Sequence, residues 1–166
     1  MLGSAATRRG FLFGPGESRP QGVLPPGATA ESISTCSGCG QCVAGCPQKI
    51  ILLESGRPRV DFSRGECTFC GECSARCPEA VFTMAHAIHF DHVANIQDRC
   101  LALNAVDCQS CRDACPETAI HFVPLRGMPF QPVLDAACCT GCGACLSVCP
   151  VQAIGLSAVS RELEHV

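Results

Sequence analysis

Three stretches of this chain repeat one cysteine spacing, Cys-x2-Cys-x2-Cys-x3-Cys-Pro, at residues 36–47, 67–78 and 139–150. A fourth, "CLALNAVDCQSCRDACPETAI" from residue 100, keeps the last three cysteines and the proline but widens the first gap to seven residues. With 17 cysteines among 166 residues, a cysteine placed at random would be followed by the full pattern with odds on the order of 10⁻⁴. Three matches are not chance. Cysteine at this level in a short secreted chain would suggest a disulfide scaffold, but clustered runs ending in Cys-Pro point to thiolate ligands.

Iron prefers thiolates, and a four-iron, four-sulfide cubane needs one at each iron corner. Two residues between cysteines let a looping backbone reach three corners in succession. In two-cluster ferredoxins the fourth cysteine, the one before proline, ligates the neighbouring cluster. That rule assigns Cys36, Cys39, Cys42 and Cys77 to one [4Fe-4S] cluster, and Cys67, Cys70, Cys73 and Cys46 to the next. Zinc sites also use Cys-x2-Cys, but as two separate pairs rather than four cysteines in one run.

In "CCTGCGACLSVCP" the regular spacing selects Cys139, Cys142, Cys145 and Cys149 and leaves Cys138 over, read as a buried thiol without a role. The crossed partner of the first three is Cys115. Cys149 then needs partners from the stretched motif, namely Cys108, Cys111 and one more. The regular position for that one is Ala105, and Cys100 lies five residues before it. Three readings stay open: a fourth four-iron cluster with Cys100 brought in by a looped "LALNAVD", a three-iron cluster on Cys108, Cys111 and Cys149, or an empty site. Counting favours the first, because with Cys100 the ligands number 16, about four per cluster, and only Cys138 is unused.

Each motif is followed by a short apolar run, so the chain is four copies of one unit. Between copies one and two, "IILLESGRPRVDF" reads as a β-hairpin, and "AIHFVPLRGMPFQPVLD" between copies three and four reads likewise. Copies two and three are joined by "AHAIHFDHVANIQDRCLALNAV", whose spacing looks helical. His86, His89 and His92 within it read as an exposed helix face or linker. The copies therefore pair into an α+β fold of tandem bacterial 2[4Fe-4S] ferredoxin-like modules, with short hairpins and short helices stapled by clusters. The expected boundaries are a flexible segment 1–30, module one at 31–90 and module two at 91–166. Gly38, Gly40, Gly71, Gly141 and Gly143 are expected at positive φ, with backbone N–H groups close to cluster sulfurs.

Composition supports cluster-coupled folding. The apolar fraction of 47 % includes the cysteines and there is no Trp or Tyr, so the core is thin and metal is expected to supply stability. The formal charge of −3 carries no basic stripe interleaved with aromatics, which excludes nucleic acid as the expected partner. A 2+ core on four thiolates adds about −2, so four clusters would take the chain to roughly −11 and favour basic partner surfaces. No run of 18 apolar residues is present, so no membrane span is expected. No acid–base pair, nucleophile constellation or phosphate loop suggests chemistry on an organic substrate, so the chain reads as an electron-transfer or accessory protein rather than an enzyme. "TRRGFL" at residues 7–12 looks like the core of a twin-arginine export signal, but the Pro- and Gly-rich stretch after it lacks the apolar middle region of one.

The N-terminal "RRGFL", the two regular motifs, the stretched "CLALNAVDCQSCRDACPETAI" and the terminal "CTGCGACLSVCPVQAI" together resemble the NapF family, ferredoxin-type proteins encoded with periplasmic nitrate reductase. The stretched motif discriminates most, since ordinary polyferredoxins share the others. The resemblance implies a cytoplasmic iron–sulfur protein that assists maturation of the nitrate reductase catalytic subunit before export, by cluster assembly or reductive activation. Its partners would be that subunit's precursor and a redox donor protein. It also makes Arg8, Arg9, Phe11 and Leu12 candidates for mimicking the client's export signal. The alternative is an electron-transfer subunit of a larger oxidoreductase.

Overall fold

Residues 22–82 and 89–159 are described by a computed structural model. Arg8, Arg9, Phe11, Leu12 and His86 lie outside them. The third cysteine of every motif sits on a single turn of helix: Cys42 on α1 (Gln41–Gly45), Cys73 on α2 (Glu72–Ala75), Cys111 on α3 (Ser110–Asp113) and Cys145 on α4 (Ala144–Ser147).

Two hairpins lie where the apolar runs place them. β1 (Ile51–Glu54) pairs antiparallel with β2 (Arg57–Val60), with Ile51 opposite Val60 and Glu54 opposite Arg57. Ser55 and Gly56 between them have φ of 51° and 76°, the left-handed pair that a two-residue hairpin turn requires. The second hairpin joins two later strands, and between the hairpins runs β3 (His92–Ile96). Those later strands are β4 (Ile120–Leu125) and β5 (Met128–Leu134), with a register shift between Val123 and Leu125. β3 pairs antiparallel with β6 (Ile154–Ala158), so the segment before the stretched motif closes against the segment after the last one. An isolated bridge from Ala28 to Phe82 does the same around the first two motifs.

The structure corrects the sequence reading in this region. The joining segment is extended over 92–96, not helical: Val93 and Ala94 are buried in a strand that β6 satisfies. Its apolar spacing fits either period when read in isolation. The expected tail also ends earlier than residue 30. Val23 bridges Val60, Pro25 is fully buried, Arg59 donates to the Gly22 carbonyl at 3.0 Å and Arg57 donates to the Ile33 carbonyl.

Few large side chains build the interior. One cluster gathers Ile50, Ile51, Val60, Phe62 and Phe90 with Cys42 and Cys73; the other gathers Ala94, Ile120 and Ile154 with Cys145. Leu146 of α4 packs against both, so the two cores are continuous through that helix. Phe62 and Phe90 meet edge to face with centroids 5.6 Å apart, and the His92 ring stacks on Phe90 at 4.8 Å. Replacing Phe62, 5 % exposed, with Ala is expected to cost about 3–5 kcal/mol. Phe62→Ala should therefore lower the anaerobic thermal unfolding midpoint of the metal-loaded protein by about 10 °C or more, while Phe130→Ala, at a half-exposed position on β5, should move it by less than about 3 °C. Equal shifts would show that Phe62 is not a packing centre.

Candidate metal centre

Two hollows are lined by thiols. Cys46, Cys67, Cys70 and Cys73 face one of them, and Cys115, Cys139, Cys142 and Cys145 face the other. In each, three cysteines come from one motif and the fourth from the end of the neighbouring motif. Local geometry explains the reach. After Cys46, Cys115 and Cys149 the chain turns at Lys49, Thr118 and Gln152, all at φ near 50°, and each turn residue's amide donates to that cysteine's carbonyl at 3.1–3.2 Å. Four residues beyond the last cysteine of each motif lies a fully buried anchor: Ile50, Val81, Ala119 or Ala153. Cys46 and Cys115 thereby face the hollow of the neighbouring motif.

Burial dominates the electrostatics, and neighbouring thiols add to it both within and across these groups. Burial pushes the Cys67 and Cys73 thiols up to about 11, with neighbouring thiols adding repulsion, Cys70 and Cys46 among them at Cys67. Burial likewise pushes Cys145 up to about 12, with Cys142, Cys139, Cys111 and Cys115 adding to it. Cys142 is raised by burial and by Cys115 and Cys139. Cys42 is raised by burial and, to a smaller extent, by Cys36 and Cys77, while Cys39 lies exposed on the loop between Cys36 and Cys42. Thiols held this way are protonated at neutral pH in the absence of metal, so metal entry must displace protons.

The stretched motif is folded rather than looped out. Cys111 is pushed up to about 11 by burial, and Cys100 and then Cys108 are the thiols that repel it. Cys149 packs against the same apolar cluster as Cys111. The extra residues form a 3-10 turn, Ala102–Asn104, ended by Ala105 at φ 63°. Asn104 Nδ2 donates to the carbonyls of Asp98 and Cys100 at 2.6 and 2.8 Å, and Gln131 of β5 donates to the Ala102 carbonyl at 2.7 Å.

Each hollow offers four thiols as donors. A tetrahedral zinc with Zn–S bonds near 2.3 Å needs sulfurs within about 3.8 Å of one another. Among the described residues no three His, Cys, Asp or Glu side chains can hold a single metal ion. Thiols spread around a hollow suit a body with separate metal corners, and an all-thiolate set suits iron–sulfur. Backbone N–H groups are already aimed at sulfur: Gly38 donates to Cys36 Sγ at 3.4 Å, Ala119 to Cys115 Sγ at 3.3 Å and Ala153 to Cys149 Sγ at 3.1 Å.

Gly38, Gly40, Gly71, Gly141 and Gly143 all have positive φ. At Gly141 the space is also taken, since a Cβ would lie 2.5 Å from the His92 carbonyl oxygen. His92 is therefore not on an exposed face. It is half-buried, its Nε2 lies 2.9 Å from the Gly141 carbonyl, and burial holds its pKa below the usual imidazole value. His89, also described, has Nδ1 3.3 Å from the Phe90 carbonyl. Cys138 is a second correction. It is exposed, and its thiol donates to Asp135 Oδ2 at 3.4 Å, which raises its pKa. Phe69 was not foreseen. It occupies the position that Gly38 and Gly141 fill in other motifs, adopts φ 51°, and packs on Phe90 at 5.5 Å.

Known proteins are similar to this chain in sequence. The model of the 4Fe-4S dicluster domain matches residues 35–81 and 104–153. The ferredoxin-type protein NapF of Escherichia coli (strain K12) is 39 % identical over 152 residues, 90 % of this chain and 93 % of that protein. NapF of Haemophilus influenzae is 39 % identical over 144 residues, covering 85 % of this chain and 82 % of its own. The methylamine utilization ferredoxin-type protein MauM of Methylobacillus flagellatus is 31 % identical over 188 residues, covering 93 % and 77 %. Two matches to the 4Fe-4S dicluster domain, each with a thiol-lined hollow, and 39 % identity to NapF over 90 % of the chain carry one conclusion: the chain belongs to the NapF family of ferredoxin-type iron–sulfur proteins.

Proposed function

We propose that the chain holds four [4Fe-4S] clusters and acts in the cytoplasm as an accessory protein in maturation of the periplasmic nitrate reductase catalytic subunit. The observation that carries the cluster assignment is the crossed lining of the hollows by Cys46 with Cys67, Cys70 and Cys73, and by Cys115 with Cys139, Cys142 and Cys145. By the same crossing, Cys77 completes the set of Cys36, Cys39 and Cys42. Cys149 completes that of Cys100, Cys108 and Cys111. The modules are residues 31–90 and 91–166, with the contacts of residues 22–30 added to the first. The likeness to NapF proteins across the chain supports the maturation role.

When bound, such a cluster supplies transfer of one electron at a time. The chain's own contribution is to hold and shield it. Buried Cys42, Cys73 and Cys145 would hold it from the protein interior, whereas exposed Cys39 and Cys70 would hold it from the surface side. The amides of Ala119 and Ala153 donate to Cys115 and Cys149 sulfur and fix those side chains in place. Among the described residues no helix is long and apolar enough to cross a membrane.

Iron analysis tests the assignment. Anaerobically reconstituted protein should carry about 16 irons per chain, Cys100→Ala should lose about four, and Cys138→Ala none. Near 12 irons in the unaltered protein, unaffected by Cys100→Ala, would show the stretched motif empty. Asn104→Ala removes two hydrogen bonds from the Cys100 turn and should speed chelator extraction of about a quarter of the iron by about 5- to 30-fold, leaving the rest unchanged. For the biological role, capture on the tagged metal-loaded protein from anaerobic cytosol should retain the signal-bearing nitrate reductase precursor. A stable stoichiometric complex with some other oxidoreductase, and no precursor, would overturn it.

A further inference from the structure

The two modules meet at their cysteine loops. The Cys67 amide donates to the Cys142 carbonyl at 2.8 Å, joining a loop of the second motif to a loop of the fourth. Each of residues 140–143 is engaged by the segment from 62 to 92. Thr140 accepts from the Phe90 amide at 2.9 Å, Gly141 faces His92, Cys142 accepts from Cys67, and Gly143 lies so close to Phe62 that a Cβ there would sit 2.1 Å from ring Cδ1. Within the second module, Cys111 and Cys149 pack in the same apolar cluster as Cys139 and Cys145.

On the ligand assignment proposed above, on which this inference rests, Cys67 and Cys142 belong to sets in different modules. A path of covalent bonds interrupted by one hydrogen bond then runs from one sulfur to the other. We propose that this contact is the electronic junction between the modules, so that the four sets form one series: the Cys36 set, the Cys67 set, the Cys139 set and the Cys100 set. A single electron crosses the junction with no bond made or broken and no proton moved; the set that releases it is oxidised by one electron and the set that accepts it is reduced by one. Entry and exit then lie at opposite ends of the series, at the Cys36 set beside exposed Cys39 and at the Cys100 set of the stretched motif.

Electron paramagnetic resonance of the dithionite-reduced, metal-loaded chain distinguishes this series from two independent pairs. Cys39→Ala and Cys70→Ala should each remove about four irons. In Cys70→Ala the surviving centre of module one has lost its neighbour and should give a simple, uncoupled component of about one spin per chain. In Cys39→Ala the surviving centre still faces Cys142 and no such component should appear. The same spectrum from both variants overturns the junction. Failure of either variant to lose iron overturns instead the ligand assignment, and the inference with it. Hydrogen exchange in the unaltered metal-loaded protein gives a second reading that needs no ligand variant. The Cys67 amide should be protected, and Phe62→Ala should speed its exchange by a larger factor than that of the β1–β2 hairpin amides. Rapid exchange in the unaltered protein overturns the contact.

Discussion

Four sulfurs from two separated motifs must arrive at one hollow, and every regular element of the fold serves that meeting. A cysteine loop cannot fill its own fourth corner, because the chain after the third cysteine is already committed to a helical turn. The last cysteine leaves through the left-handed turns at Lys49, Thr118 and Gln152, and the buried residue four positions on anchors its departure. The hairpins then bring the next motif back antiparallel, so that Cys46 faces the Cys67 loop and Cys115 faces the Cys139 loop. Folding of either half-module alone would leave three thiols around an open side. Closure of the chain therefore brings the thiols of each hollow together.

That constraint explains how little else is buried. The described interior includes Ala94, Ala102, Ala119, Ala144 and Ala153 beside its Ile, Val and Phe side chains, and three of its buried apolar residues are Cys42, Cys73 and Cys145. Small residues let backbone amides approach sulfur, as Ala119 and Ala153 do, and a bulkier core would push the loops away from the hollow. Phe62, Phe69, Phe90 and His92 gather in one aromatic group, beside the 140–143 loop that Phe62, Phe90 and His92 contact.

Much of this was legible in the sequence because cysteine spacing and turn chemistry are local. The β1–β2 turn was readable from Ser55–Gly56, and the positive φ values of the loop glycines from their places between cysteines. What was not legible depended on contacts between distant segments. The strand at 92–96 was hidden because its edge is satisfied by residues 154–158, and the burial of His92 because the residue it faces, Gly141, is 49 positions away. Phe69 broke the glycine pattern with a side chain whose strain is offset by packing on Phe90. Cys138 is adjacent to a cysteine that lines a hollow and yet points to Asp135.

The stretched motif is the clearest case of a local rule overruled by tertiary structure. An insertion into a loop ordinarily lies on the surface, where its backbone groups find water. Here Ala102 is wholly buried, Ala105 is held in a left-handed conformation, and the turn between is fastened from within by Asn104 and from outside by Gln131. The fastening strand β5 belongs to the same hairpin that returns the chain to the Cys139 loop. A slack seven-residue gap would place Cys100 anywhere along its reach, and the entropy of fixing it would oppose any ligand role. Because the turn is instead fixed by the module that surrounds it, Cys100 is delivered beside Cys111, and the longer spacing carries no loss of definition.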